Sequence, residues 1–199
     1  MKPLPERTAL LWDECRETVQ ELVTEKDAKK AERLWRDFVV RLDKAWERTK
    51  KHYALSPKWN GWQQRRLNLI RSDPLLIYLQ MARDSENHNN EGVSDVAPGQ
   101  FRMGLSNARV GDEFSAYVRF NSDGSVDVRP ETPGEFVSVP PHVALRPAVT
   151  RGRTYPIPST HAGRTIERQT PLHFAELAMA FYEPLLLEAA EFFAERPAP

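Results

Sequence analysis

A chain of 199 residues is long enough for one sizeable core, and 40% hydrophobic with 28% charged residues is the composition of a globular domain. Its 28 basic and 28 acidic residues cancel, which excludes a net field that would select a nucleic acid or an anionic membrane by charge alone. The single cysteine, Cys15, excludes an intramolecular disulfide, and its place between Leu11 and Val19 reads as a packed thiol in a reducing compartment.

The opening MKPLPERT lacks the apolar stretch of a signal peptide, and no later run reaches the ~20 apolar residues of a membrane span. The expectation is a soluble, cytoplasmic protein without membrane contact. Leu11, Cys15, Val19, Leu22 and Val23 then repeat with helical period, with Thr8 as the expected N-cap. A second helix follows Asp27, where Ala31, Leu34, Trp35, Phe38, Leu42, Ala45 and Trp46 form one apolar stripe. Pro57 and Gly61 punctuate LSPKWNG as a turn. Two further helices, WQQRRLNLIR and DPLLIYLQMARDSENH, meet at Ser72 and Asp73; Asp73 suits an N-cap, with Pro74 at the first helical position, where its missing N–H costs nothing.

From Val93 to about Arg168 proline and glycine become frequent. EFSAYVRF and SVDVRPE alternate about NSDG and predict a β-hairpin, and EFVSV is a further strand. The proline-bearing RPAVTRGRTYPIPSTHAGRT suits an edge strand or a strapping loop. Thr170 and Pro171 repeat the cap and first-position pair, and Phe174, Ala178, Phe181, Leu185, Ala189 and Phe192 mark a closing helix that carries Pro184 inside it. The expected fold is α+β: a helical bundle over 1–92, a β-rich insertion over 93–169, and a C-terminal helix over 170–199 returning to the bundle. Leu76, Leu79, Trp35, Phe38, Leu42 and Phe181 are expected in one core.

Chemistry concentrates in MARDSENHNN. On a helix, Arg83 and Asn87 share one face and Asp84 and His88 its neighbour, whereas Arg83 and His88 stand about 140° apart at ~3.6 residues per turn. They converge only if the helix ends between them or if a second copy of the chain supplies the missing neighbour. Asn89, Asn90 and Gly92 favour an ending here. An arginine offers planar donors to a phosphate, and a histidine four residues after an aspartate can move a proton.

An R-x-x-x-x-H pattern at the end of a bundle helix, with a polar residue directly after the Arg, resembles the signature of the HEPN superfamily, the higher eukaryote and prokaryote nucleotide-binding domains. Arg83 matches the motif arginine, Asp84 its polar neighbour, where asparagine is common, and His88 the motif histidine. The resemblance covers roughly Thr8 to Gly92 and leaves the β-rich segment unexplained. It implies an α-helical, metal-independent endoribonuclease or RNA-binding protein acting as a homodimer, of a kind often found as toxins with an antitoxin or other protein partner, and needing no cofactor. Arg83 and His88 would be catalytic, with Asp84 and Asn87 in support.

Lys58, Arg65, Arg66 and Arg71, interleaved with Tyr53, Trp59 and Trp62, would serve as the RNA-binding set; the same pattern is that of a solvated helix face with aromatics in the core. His142, His161 and His173 have no zinc-ligand spacing, so no metal is expected. Two readings stand beside the nuclease: a noncatalytic dimeric protein-interaction module, and a small-molecule pocket between bundle and β insertion.

Overall fold

The computed structural model describes residues 4–88, 92–104, 116–120, 126–130 and 135–193. The fold is α+β. Its helices are α1 (Glu6–Thr24), α2 (Ala28–Tyr53), α3 (Trp59–Ser72), α4 (Pro74–His88) and α5 (Pro171–Phe193). The strands are β1 (Ser94–Ala97), β2 (Gln100–Gly104), β3 (Ala116–Phe120), β4 (Val126–Pro130), β5 (Glu135–Val139), β6 (His142–Leu145), β7 (Ala148–Thr150), β8 (Arg153–Tyr155), β9 (Thr160–His161) and β10 (Arg164–Thr165). The chain divides into two compact units, residues 1–96 with 143–199, and residues 97–142. No helix among the described residues is long and apolar enough to cross a membrane.

In the first unit, local chemistry sets the helix ends. Asp27 caps α2 by accepting from the backbone N–H of Lys29 at 2.8 Å and of Lys30 at 3.1 Å. Asp73 caps α4 through Leu76 N–H at 3.1 Å, and Thr170 caps α5 through His173 N–H at 3.3 Å, each followed by its proline. Two expectations about punctuation need correction. Thr8 is no cap: α1 begins at Glu6 after Pro5, and Thr8 is buried within the helix. Gly61 lies inside α3, so the turn ends before Trp59.

The stripes meet in one core. Trp35, Phe38 and Leu42 of α2, Leu76 and Leu79 of α4, and Phe174, Ala178 and Leu185 of α5 are buried together, with Trp12 and Cys15 of α1. Phe181 packs against this core only partly buried, and Val23, the last of the first stripe, is exposed. Burial pushes the Cys15 thiol up to about 12, against the pull of Arg41, which leaves a packed, unreactive thiol. Val93, Leu145, Ala148 and Ile166 join the same core, so the segment from 143 to 169 is built onto the helices. β7 pairs antiparallel with β8 and β9 with β10. Both hairpins turn on two residues with positive φ, Arg151 and Gly152 (50° and 73°) and Ala162 and Gly163 (48° and 75°), the backbone that a type I′ turn requires.

In the second unit, β3 pairs antiparallel with β4, with Val118 opposite Val128, as the alternating pattern predicts. β5 pairs antiparallel with β2, a strand that the sequence pattern did not single out. The NSDG turn at 121–124, the residues Asn89 and Asn90, and the side chains of Asn87 and His88 lie outside the described residues.

Candidate functional site

α4 continues without a break from Arg83 through His88. The helix therefore does not end between the two motif residues, and the route by which one chain would bring them together is closed. Arg83 points across to α2. Its Nη2 donates to Asp43 Oδ2 at 2.7 Å and its Nη1 to Asp84 Oδ1 at 2.8 Å. Two carboxylates thus share one guanidinium.

The Arg83 side chain retains 24% of its exposure and Asp43 17%. Burial raises the Asp43 pKa above its ordinary value, and the charge and hydrogen bond of Arg83 offset only part of that rise. Beside Asp43, a cavity of about 110 Å³ is lined by Glu47, Lys50, Arg71, Gln80 and Tyr182 over an apolar floor of α2 and α3. Burial likewise raises the Tyr182 phenol, with Asp43 and Asp73 adding to the effect, so the phenol remains a neutral hydrogen-bonding group.

Glu86, between the motif residues, faces elsewhere. It takes a 2.6 Å bond from Arg36 and accepts the backbone N–H of Val93 at 3.0 Å, tying the chain beyond α4 back onto its last turn. Tyr78 reinforces this junction by donating its hydroxyl to Arg146 O at 2.7 Å.

The sequence-defined RNA-binding residues separate. Arg66 is committed: it stacks 4.4 Å over the Trp62 ring, donates to Trp62 O at 2.8 Å and pairs with Glu188. Lys58 lies 5.6 Å over Phe192. Arg65 and Arg71 are exposed and have no ion-pair partner among the described residues, but six helical positions turn them roughly 120° apart. Tyr53, Trp59 and Trp62 are buried and packed against one another and against Phe193 at 4.7–6.1 Å, which commits the rings to the core and not to bases.

At the other end of α4 stands a pair that no local pattern joins. Asp73 Oδ1 lies 3.0 Å from His161 Nδ1, and Asp73 Oδ2 accepts Ala162 N–H at 2.7 Å. Burial works to raise the Asp73 pKa. The bonds from Ala162, His161 and Leu76 together outweigh it and hold the carboxyl below its ordinary value. Among the described residues, no group of three His, Cys, Asp or Glu side chains is placed to hold a metal ion.

Comparisons with family models, with curated proteins and with solved structures each give no match for this chain.

Proposed function

We propose that the protein acts on RNA as a homodimer, as a HEPN-like metal-independent endoribonuclease or RNA-binding protein, with the C-terminal end of α4 as its working surface. The observation that carries this reading is the helical setting of the motif: Arg83 and His88 occupy the last turns of one unbroken bundle helix, and Arg83 is fixed in orientation yet partly open to solvent. Since ~3.6 residues per turn set the two about 140° apart, a working pair needs a second copy of the chain. In such a site His88 assists attack of the ribose 2′-hydroxyl on the adjacent phosphate, and the guanidinium stabilises the developing charge. The bond from phosphorus to the 5′-oxygen breaks as the bond to the 2′-oxygen forms, and the products are a cyclic phosphate end and a 5′-hydroxyl that takes up a proton in place of the one lost from the 2′-hydroxyl.

The pairing of Arg83 with Asp43 and Asp84 supports a second reading, a noncatalytic dimeric module in which Arg83 clamps α2 to α4. One experiment separates the two. Purified wild type, Arg83→Lys, Asp84→Asn and His88→Ala are incubated with structured and single-stranded RNAs, with and without chelator, while melting temperature and, by light scattering, mass are recorded. The nuclease reading expects cutting that survives chelator, is abolished by His88→Ala at unchanged melting temperature, is lost in Arg83→Lys because a lysine lacks the forked donors, and is weakened less by Asp84→Asn. Metal-dependent cutting, cutting indifferent to His88, or a strict monomer at high concentration overturns it. No cutting, together with a lowered melting temperature in Arg83→Lys, leaves the clamp.

A further inference from the structure

His161, paired with Asp73, lines a cavity of about 480 Å³ between the β9–β10 hairpin and α5. Its lining combines an apolar surface with basic side chains, among them His161, Arg164 and His173. This volume and mixture are those of a small-molecule site, in which a few convergent polar groups fix the orientation of a mainly apolar ligand. We propose that this groove binds a small organic anion, its carboxylate or phosphate held by Arg164, His161 and His173, and its apolar body resting on Leu177, Ala180 and Phe181.

The charges support an anion. Arg164 is exposed and has no ion-pair partner among the described residues, so its forked donors are uncommitted. The carboxylates paired with the two histidines do not cancel it. Both oxygens of Asp73 are occupied, Oδ1 by His161 and the Leu76 N–H, Oδ2 by the Ala162 N–H. Glu176 sits 3.5 Å from His173 Nδ1 and is half exposed, outside the residues that line the cavity. Facing an ionised Asp73, which can only accept, His161 Nδ1 carries its proton, and Nε2, the nitrogen left for a ligand, donates to an anion when the ring carries the second proton that a bound negative charge favours.

A fastening role for the pair does not account for the whole arrangement. Joining the hairpin to α4 needs Asp73, His161 and the Ala162 N–H alone. It does not need a second histidine and an unpaired arginine on the same cavity, nor the Phe181 ring set edge-on at 6.1 Å from His161. The site lies at the opposite end of α4 from Arg83 and is independent of any action on RNA.

The test is titration of the full chain with phenyl phosphate, benzoate and, as the neutral analogue, benzamide, followed by the imidazole signals in nitrogen-15 NMR spectra. Saturable shifts of His161 and His173 are expected with at least one anion, with benzamide weaker by about tenfold or more, the scale of one lost charge-assisted hydrogen bond. Preference for phenyl phosphate identifies a phosphate monoester, and preference for benzoate a carboxylate. Arg164→Ala, on an exposed hairpin position, should weaken binding by a similar factor, while Arg65→Ala on α3 should not. No shift with either anion, equal binding of benzamide, or full affinity in a folded Arg164→Ala variant overturns the proposal.

Discussion

The two ends of α4 each hold a largely buried aspartate, and the two titrate in opposite directions. Asp73, at 11% exposure, lies below its ordinary value, whereas Asp43, at 17%, lies above it. Burial disfavours both charges to begin with. Asp73 gains two backbone N–H donors and an imidazole, enough to outweigh the loss of water; Asp43 gains one guanidinium, which it shares with Asp84. The sign follows from the balance between lost water and the donors that reach each carboxylate, with the charge of Glu47 adding to the rise at Asp43. One end is a settled anchor. The other keeps a carboxylate whose loss of water its partners offset only in part, beside Arg83.

The largest expected effect calibrates the comparison from the core beneath both ends. Phe38 is fully buried and stacks on Trp35 at 6.1 Å, so Phe38→Ala should cost about 3–5 kcal/mol by denaturant unfolding, without altering the pH response of either aspartate. An unchanged midpoint would break the assignment of the α2 face.

Arg83→Met should cost about 2–3 kcal/mol at neutral pH, the penalty for stranding a partly buried carboxylate. It also removes the main attraction that lowers the Asp43 pKa and leaves only the smaller pull of Lys50. A raised folded pKa means stability lost as pH rises through the carboxylate range, so the deficit should be smaller at pH 5 than at pH 7. Adding Asp43→Asn should return part of it. Equal deficits at both pH values would show that Asp43 does not depend on Arg83.

Asp73→Asn should cost about 1–2 kcal/mol, because the amide keeps the cap but loses charge-assisted bonds to the hairpin. Here the sign reverses. A lowered folded pKa gives stability that is present above the ordinary value of 3.8 and lost as pH falls through the folded value, so the difference from wild type should be full at pH 7 and shrink in acid. A deficit that grows on acidification would contradict the anchor. The smallest effect belongs to the hairpin that Asp73 holds: Ala162 has φ of 48°, and Ala162→Gly should raise stability by about 0.5–1 kcal/mol in thermal melts.

The sequence by itself determined what neighbouring residues decide. The Asp73–Pro74 and Thr170–Pro171 starts, the buried stripe of α2 and the β3–β4 hairpin were legible because caps, helical period and strand alternation act over a few residues. The same rules placed Arg83 and His88 far apart around one helix, and α4 runs unbroken from one to the other. Partners were not legible. Nothing local joins Arg83 to Asp43, His161 to an aspartate 88 positions away, or β2 to β5, and nothing local separates the committed Arg66 from the exposed Arg65 beside it. Periodicity reports which face of a helix avoids water; which side chains meet across that face depends on how the helices are set against one another, and packing of the whole core decides that. The two aspartates of α4's ends owe their opposite character to such meetings, so only the tertiary structure tells them apart.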